Sequence, residues 1–178
     1  MQTARIAQLV VMGVAGSGKT TVAGRLGERL GCEVADADAF HSPANVAKMS
    51  AGIPLQDEDR WPWLRAIGDW IRARDQAGRT AVVTCSALKR VYRDVLRAAS
   101  PRAVFVHLAG APALIEGRIR ARTGHFMAPG MLASQLAILE PLGPDEPGIS
   151  VDVAGTPDEI ADGIVRTLGL GPVAEAGR

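Results

Sequence analysis

Gly13-Val-Ala-Gly-Ser-Gly-Lys-Thr20 fits the pattern G-x-x-x-x-G-K-[ST], and its flanks decide how it is read. Before it, Arg5 to Met12 is rich in Val, Ile and Leu and predicts a buried strand. After it, Lys19 to Leu30 predicts a helix that stops at Gly31. Strand, glycine-rich turn and helix, in that order, make a cradle for phosphate. The glycines let the loop wrap with its backbone N–H groups pointing inward, and the helix N-terminus adds its positive end. Lys19 then reaches the β- and γ-phosphates, and the Thr20 hydroxyl ligates Mg²⁺. Gly13, Gly16, Ser17, Gly18, Lys19, Thr20 and Thr21 are the candidate nucleotide-binding set, with ATP and Mg²⁺ as the expected pair. The motif does not name the acceptor of the phosphate.

Working outward, strands and helices alternate along the chain. Short apolar runs at Cys32–Ala35, Thr80–Cys85, Ala103–Leu108 and Ile149–Val153 predict further strands. Helices are expected from Ser42-Pro43 to near Gly52, from about Asp57–Arg60 to Ala77, and over Leu88–Ala99. More are expected over Pro112–Arg122, Gly130–Leu139 and Thr156–Leu168, with a break at Thr123–Pro129. Trp63, Leu64, Ile67, Trp70 and Ile71 recur every three or four residues, so one face of their helix is buried. Continuous apolar strands joined by helical crossovers predict an α/β fold, a five-stranded parallel sheet with helices on both faces. One domain is expected over residues 1–170, with a disordered tail at 171–178.

Bulk properties exclude several classes. The chain has 178 residues, 47% hydrophobic and 22% charged, with a net charge of +1, which gives no polyanion-binding surface and no expected nucleic-acid partner. No apolar run approaches the roughly 18 residues of a membrane span. The apolar stretch near the N-terminus is too short for a signal peptide and runs straight into the glycine loop. Cys32 and Cys85 both lie in apolar surroundings and read as reduced thiols of a cytoplasmic protein, with a disulfide between them the lesser alternative. Only three of the 20 basic residues are lysines, Lys19, Lys48 and Lys89.

Two carboxylates follow the second strand. In an open α/β sheet ligands bind at the carboxyl ends of the strands, so Asp36 and Asp38 share a rim with the phosphate loop. Two apart in an extended segment, they point the same way. Asp36 is the candidate metal ligand, through water. Asp38 is the candidate base that takes the proton of an attacking hydroxyl. The competing reading is a turn cap at Asp38 beside a solvated Asp36. Lys89 and Arg93 follow strand three, four apart on a helix, and two cations there suit an anionic acceptor or simply form a solvated face. Arg118, Arg120 and Arg122 end a helix that breaks at Gly124. On a segment that closes over the phosphates, about 118–140, Arg118 and Arg122 would stabilise the transferring phosphoryl group, while Arg120 reads as a last-turn cation.

Beyond the loop, the chain carries Asp36-Ala-Asp-Ala-Phe-His41, Asn45-Val-Ala-Lys-Met49, Gly52-Ile-Pro-Leu55 and Asp57-Glu-Asp-Arg-Trp-Pro-Trp-Leu64. Cys85-Ser-Ala-Leu-Lys89, Tyr92-Arg-Asp94 and Gly124-His-Phe-Met127 follow. Together these motifs resemble the gluconokinase family, from about Leu9 to Glu159. The resemblance implies a P-loop kinase fold similar to shikimate kinase, with strand order 2-3-1-4-5. It implies transfer of the ATP γ-phosphate to the 6-hydroxyl of D-gluconate, and a cytoplasmic homodimer. It matches Asp38 to the acid at the acceptor hydroxyl, and Arg60, Lys89 and Arg93 to basic positions that pair with a carboxylate. His41 and His125 become candidate acceptor contacts, His41 equally a solvent-exposed helix-entry residue. Asp57 and Asp59 read as helix-start acids. Leu136 departs from the family, where Phe often follows the Ser-Gln step. Rival acceptors are another hydroxy acid such as shikimate, or a nucleoside monophosphate. A slow ATPase switch is the rival of another class, and it leaves Lys89, Arg93 and the paired acids without a role.

Overall fold

The computed structural model describes residue 5 and residues 7–122 and 130–171. Its centre is β1 (Gln8–Met12), every residue of which is buried. β1 pairs in parallel with β3 (Ala81–Thr84) on one side and β4 (Ala103–Ala109) on the other. β2 (Glu33–Asp36) and β5 (Gly148–Asp152) form the edges, giving the parallel order β2-β3-β1-β4-β5. This is the predicted sheet.

Side chains of β1 alternate between two cores, as the strand's period of two requires. Leu9 and Val11 join Val82, Val106 and Leu108 under α1 (Lys19–Leu30) and α7 (Pro157–Leu168), which supply Leu26, Leu30, Ile160 and Ile164. Val10 and Met12 join Val83 and Phe105 under α3 (Asp57–Gln76) and α4 (Arg90–Ala99). The apolar stripe of α3 is seated there through Trp63, Leu64, Ile67 and Ile71. A third, smaller cluster sits at the carboxyl rim. Val14 of the glycine loop meets Leu88, with Ile115 and Ile119 of α5 (Pro112–Ala121) and Leu132, Leu136 and Leu139 at α6 (Met131–Ile138). Leu136 is thus seated in an apolar contact beside the loop.

Helix entries follow their sequence signals. At α2 (Pro43–Ser50) the Ser42 hydroxyl accepts from Asn45 N–H. α7 opens with a reciprocal box between Thr156 and Glu159, and α3 with one between Gln56 and Asp59. The boundary shift that matters for the site is at α4, which begins at Arg90 rather than Leu88. Ala87, at φ +44°, turns the chain left-handed just before it, a conformation that a right-handed helix does not admit. Both cysteines are free thiols.

Candidate active site

The glycine loop is shaped as its pattern requires. Gly16 and Gly18 have φ of +80° and +93°, and a Cβ at Gly16 would stand 2.4 Å from Ile119 Cγ1 of α5. Lys19 Nζ donates to the carbonyls of Gly13 and Val14, both at 3.0 Å, so its ammonium lies across the loop entrance. Burial pulls the Lys19 ammonium below its ordinary pKa, and the Asp38 and Asp36 carboxylates nearby oppose that shift. The Ser17 hydroxyl is buried without a partner among the described residues. An orphaned hydroxyl at the turn into α1 fits a phosphate oxygen as its missing partner.

Beside the loop lies a cavity of about 330 Å³. Gly16, Ser17, Gly18 and Thr21 form its floor, Arg118 and Arg122 one wall, and Gly155, Pro157 and Ile160 the other. The two arginines therefore line the cavity beside the glycine loop. Arg120 faces out, paired with Glu116. The Gly155–Ile160 wall is invisible to motif reading, because it is made by the entry of α7, far along the chain and apolar.

The paired acids part company. Asp36 ends β2 and its Oδ1 accepts from Asp38 N–H at 2.9 Å, starting a 3-10 turn over Ala37–Phe40. The two are therefore not neighbours along one extended face. The chain bends between them, and the capping role considered for Asp38 falls to Asp36. Both remain close enough to Lys19 to act on its charge.

Next along the rim, His41 stacks on Trp63 with ring centroids 4.4 Å apart, and its Nδ1 lies 3.3 Å from Asn45 Nδ2. Burial holds His41 below the ordinary imidazole pKa, with Asp38 opposing and Arg60 reinforcing the shift. His41 is thus part of the wall rather than a solvated helix entry. Trp63 is fixed in turn by its Nε1–H donating to Ala37 O at 2.7 Å. Asp59 serves the start of α3, accepting from Gln56 N–H and pairing with Lys48 at 2.7 Å.

Two cations converge on one carboxylate. Asp57 Oδ1 lies 3.5 Å from Arg60 Nη1 and 3.7 Å from Lys89 Nζ. The Tyr92 hydroxyl donates to the same oxygen and accepts from Arg60 at 3.0 Å. The Tyr92 hydrogen bond, with Lys89 and Arg60 behind it, holds the Asp57 carboxyl below the usual carboxylate range. The cluster keeps one net positive charge and is half-buried, a setting that suits an anion. Sequence reasoning found Arg60 and Lys89 and missed Tyr92 and Asp57 as their organisers. The signal was there, in the i, i+3 pair of Asp57 and Arg60.

Arg93 is corrected. It does not face the acceptor side with Lys89. Its side chain is 1% exposed and pairs with Glu146 at 2.6 Å. It also donates to the carbonyls of Ala87, Leu88 and Pro141. The shared-face argument failed because Lys89 is the cap of α4, not a member of it. Arg93 instead clamps the left-handed turn that presents Lys89. His125, with the rest of Gly124–Met127, lies outside the described residues. Among those described, no cluster of three His, Cys, Asp or Glu side chains could hold a metal, and no helix is long and apolar enough to cross a membrane.

Known proteins resemble the chain in sequence and in fold. A family model described as an AAA domain matches residues 9–141. Gluconokinase of Gluconobacter oxydans is 50% identical over 158 residues, covering 89% of each chain. The unliganded crystal structure of a sugar kinase from Janibacter sp. HTCC2649 superposes with a TM-score of 0.87 at 51% identity, over 94% of this chain and 97% of that one. A gluconokinase from Sinorhizobium meliloti 1021 superposes with a TM-score of 0.84 at 43% identity, over 93% and 94%.

Proposed function

The chain belongs to the gluconokinase family and is a kinase acting on a small hydroxy acid, and from that premise we propose that it transfers the ATP γ-phosphate to the 6-hydroxyl of D-gluconate. The observation that carries this reading is the convergence of Arg60 and Lys89 on one carboxylate oxygen, on the rim that holds the phosphate loop. An aldonic acid offers a carboxylate to displace Asp57 from those cations, and a hydroxyl at the other end of its carbon chain for Asp38.

In the reaction a bond forms from the 6-oxygen to the γ-phosphorus, and the bond to the β,γ-bridging oxygen breaks. The hydroxyl proton passes to Asp38, and ADP leaves. Charge moves toward the leaving oxygen, where Lys19 and the loop amides stand, and Arg118 and Arg122 neutralise the equatorial oxygens. Mg²⁺ fits this donor set, since it takes few protein ligands and keeps water and phosphate oxygens around it. The Thr20 hydroxyl and the Asp36 carboxylate would hold it, and bound there it would neutralise phosphate charge. The two free thiols support a reducing, cytoplasmic setting.

The test is ADP release from Mg²⁺-ATP followed continuously with gluconate, shikimate, a nucleoside monophosphate or no acceptor. Turnover with gluconate alone is expected. Turnover with shikimate instead would move the reading to another hydroxy acid, and equal slow release in every sample would overturn it for an ATPase.

A further inference from the structure

The Ser134-Gln135 step of α6 has no part in the chemistry above, yet it touches the loop directly. Ala15 N–H donates to Gln135 Oε1 at 2.6 Å, across 120 positions of chain. A backbone N–H can only donate, so the carboxamide oxygen faces the Ala15 N–H and the Nε2 amide is left free of that contact. Among the described residues Nε2 has no hydrogen-bond partner. The helix that carries it is seated by packing, with Leu132, Leu136 and Leu139 against Val14, Leu88 and Ile115.

The position of Ala15 gives this contact meaning. Lys19 Nζ rests on the carbonyls of Gly13 and Val14, and Lys19 is the group that reaches the β- and γ-phosphates. Ala15 is the next residue, so its amide lies toward the γ-phosphate end of the loop. In a loop of this pattern the α- and β-phosphates would lie toward Gly18 and the start of α1. Asp36 and Asp38 act on the same lysine, so this is also the end the acceptor approaches.

We propose that Gln135 is a γ-phosphate contact, held by the Ala15 amide so that its Nε2–H donates to the phosphoryl group being transferred. A neutral donor suits that place. It adds a hydrogen bond to the anionic oxygens without another full charge beside Arg118, Arg122 and Lys19. It also makes the seating of α6 on the loop a condition of γ-phosphate recognition. The inference rests on the kinase reading, but not on gluconate as the acceptor.

Gln135→Glu is the discriminating variant. It has the same shape and keeps an oxygen for Ala15 N–H, but it replaces the Nε2 donor with an acceptor. ADP and the β,γ-imido analogue of ATP are titrated separately against wild type and variant, and their dissociation constants compared. The expected result is unchanged ADP affinity and analogue binding weakened about tenfold or more, the cost of opposing a charged hydrogen bond. The kcat with acceptor falls in parallel, while KM for the acceptor moves little. Gln135→Ala, which loses the donor without adding charge, gives a smaller loss in the same direction and serves if the first variant does not fold. An unchanged ratio of analogue to ADP affinity in both variants would reduce Gln135 to a structural latch. Equal weakening of both ligands would mean only that the loop is disturbed. Failure of wild type to use gluconate overturns the acceptor assignment and leaves this nucleotide comparison standing.

Discussion

Asp36, not Asp38, caps the turn, so the Asp38 carboxylate proposed as the base has no share in the local hydrogen bonds. The turn that carries Asp38 is started by the Asp36 side chain, so removing the Asp38 charge leaves the local hydrogen bonds in place. Asp38→Asn is therefore expected to fold normally and lose about 10²-fold or more in kcat, the usual worth of a positioned base. A steady-state assay decides it, and an unchanged kcat would leave Asp38 a positioning role only. Lys89 is argued the same way. It shares Asp57 with Arg60 and lies over the Tyr92 ring at 5.5 Å, so its loss removes one of two cations while the others stay. Lys89→Ala should raise KM for gluconate and leave KM for ATP nearly unmoved; the reverse pattern takes Lys89 out of the acceptor pocket. These roles were legible as residue types on one rim. Tyr92 and Asp57 were not, because a phenol that steers two cations looks in sequence like one more core aromatic.

At the scale of elements, the segment from α6 to β5 is tied to the start of α4 by charge. Arg90 N–H donates to Glu140, the Arg90 guanidinium pairs with Asp145, and Arg93 pairs with Glu146 in full burial. Burial alone would raise the Glu146 carboxyl, but the Arg93 hydrogen bonds overcome it and hold it below the ordinary glutamate value. A carboxyl lowered in the folded state stabilises fully above its unfolded pKa. That stability is lost as pH falls below about 4.5, the ordinary value, and through the lowered one. Glu146→Gln should thus flatten the acid side of the stability curve, measured as urea midpoint against pH. Arg93→Ala should cost about 3–5 kcal/mol, because it leaves Glu146 buried with only the looser Arg90 contact at 3.7 Å. It should also loosen the Ala87 turn, whose left-handed backbone costs about 1–2 kcal/mol. If Arg93→Ala instead raised KM for gluconate with stability intact, Arg93 would return to the pocket. The helices and strands around this segment were readable from period and caps. The start of α4 was not, because nothing local marks Ala87 as left-handed; the Arg93 guanidinium from the next turn holds it there, itself held by a carboxylate 53 positions beyond Arg93.

For the molecule as a whole, the parallel sheet follows from apolar strands joined by helical crossovers, while its order β2-β3-β1-β4-β5 was expected only from the family resemblance. What composition and motif could not supply is the nucleotide cavity, because its three sides come from distant parts of the chain: residues 16–22, 118–122 and 155–160. A ligand seated there joins α1, α5 and α7, so binding should act on global unfolding rather than on one loop. At one hundred times its dissociation constant, a nucleotide that binds only the folded state adds about 2.7 kcal/mol. For a chain of this size that is a rise in Tm of about 5–10 °C. Thermal unfolding with and without saturating Mg²⁺-ADP checks it. Gly16→Ala supplies the contrast, because its new Cβ would stand 2.4 Å from Ile119 in a backbone conformation of φ +80°. Either the loop or α5 must move, and the cavity between them changes shape. The expected shift with ADP in that variant is below about 2 °C, against the full rise in wild type. A full rise in Gly16→Ala would show that the nucleotide does not depend on the loop and α5 meeting there, and would place it elsewhere on the rim.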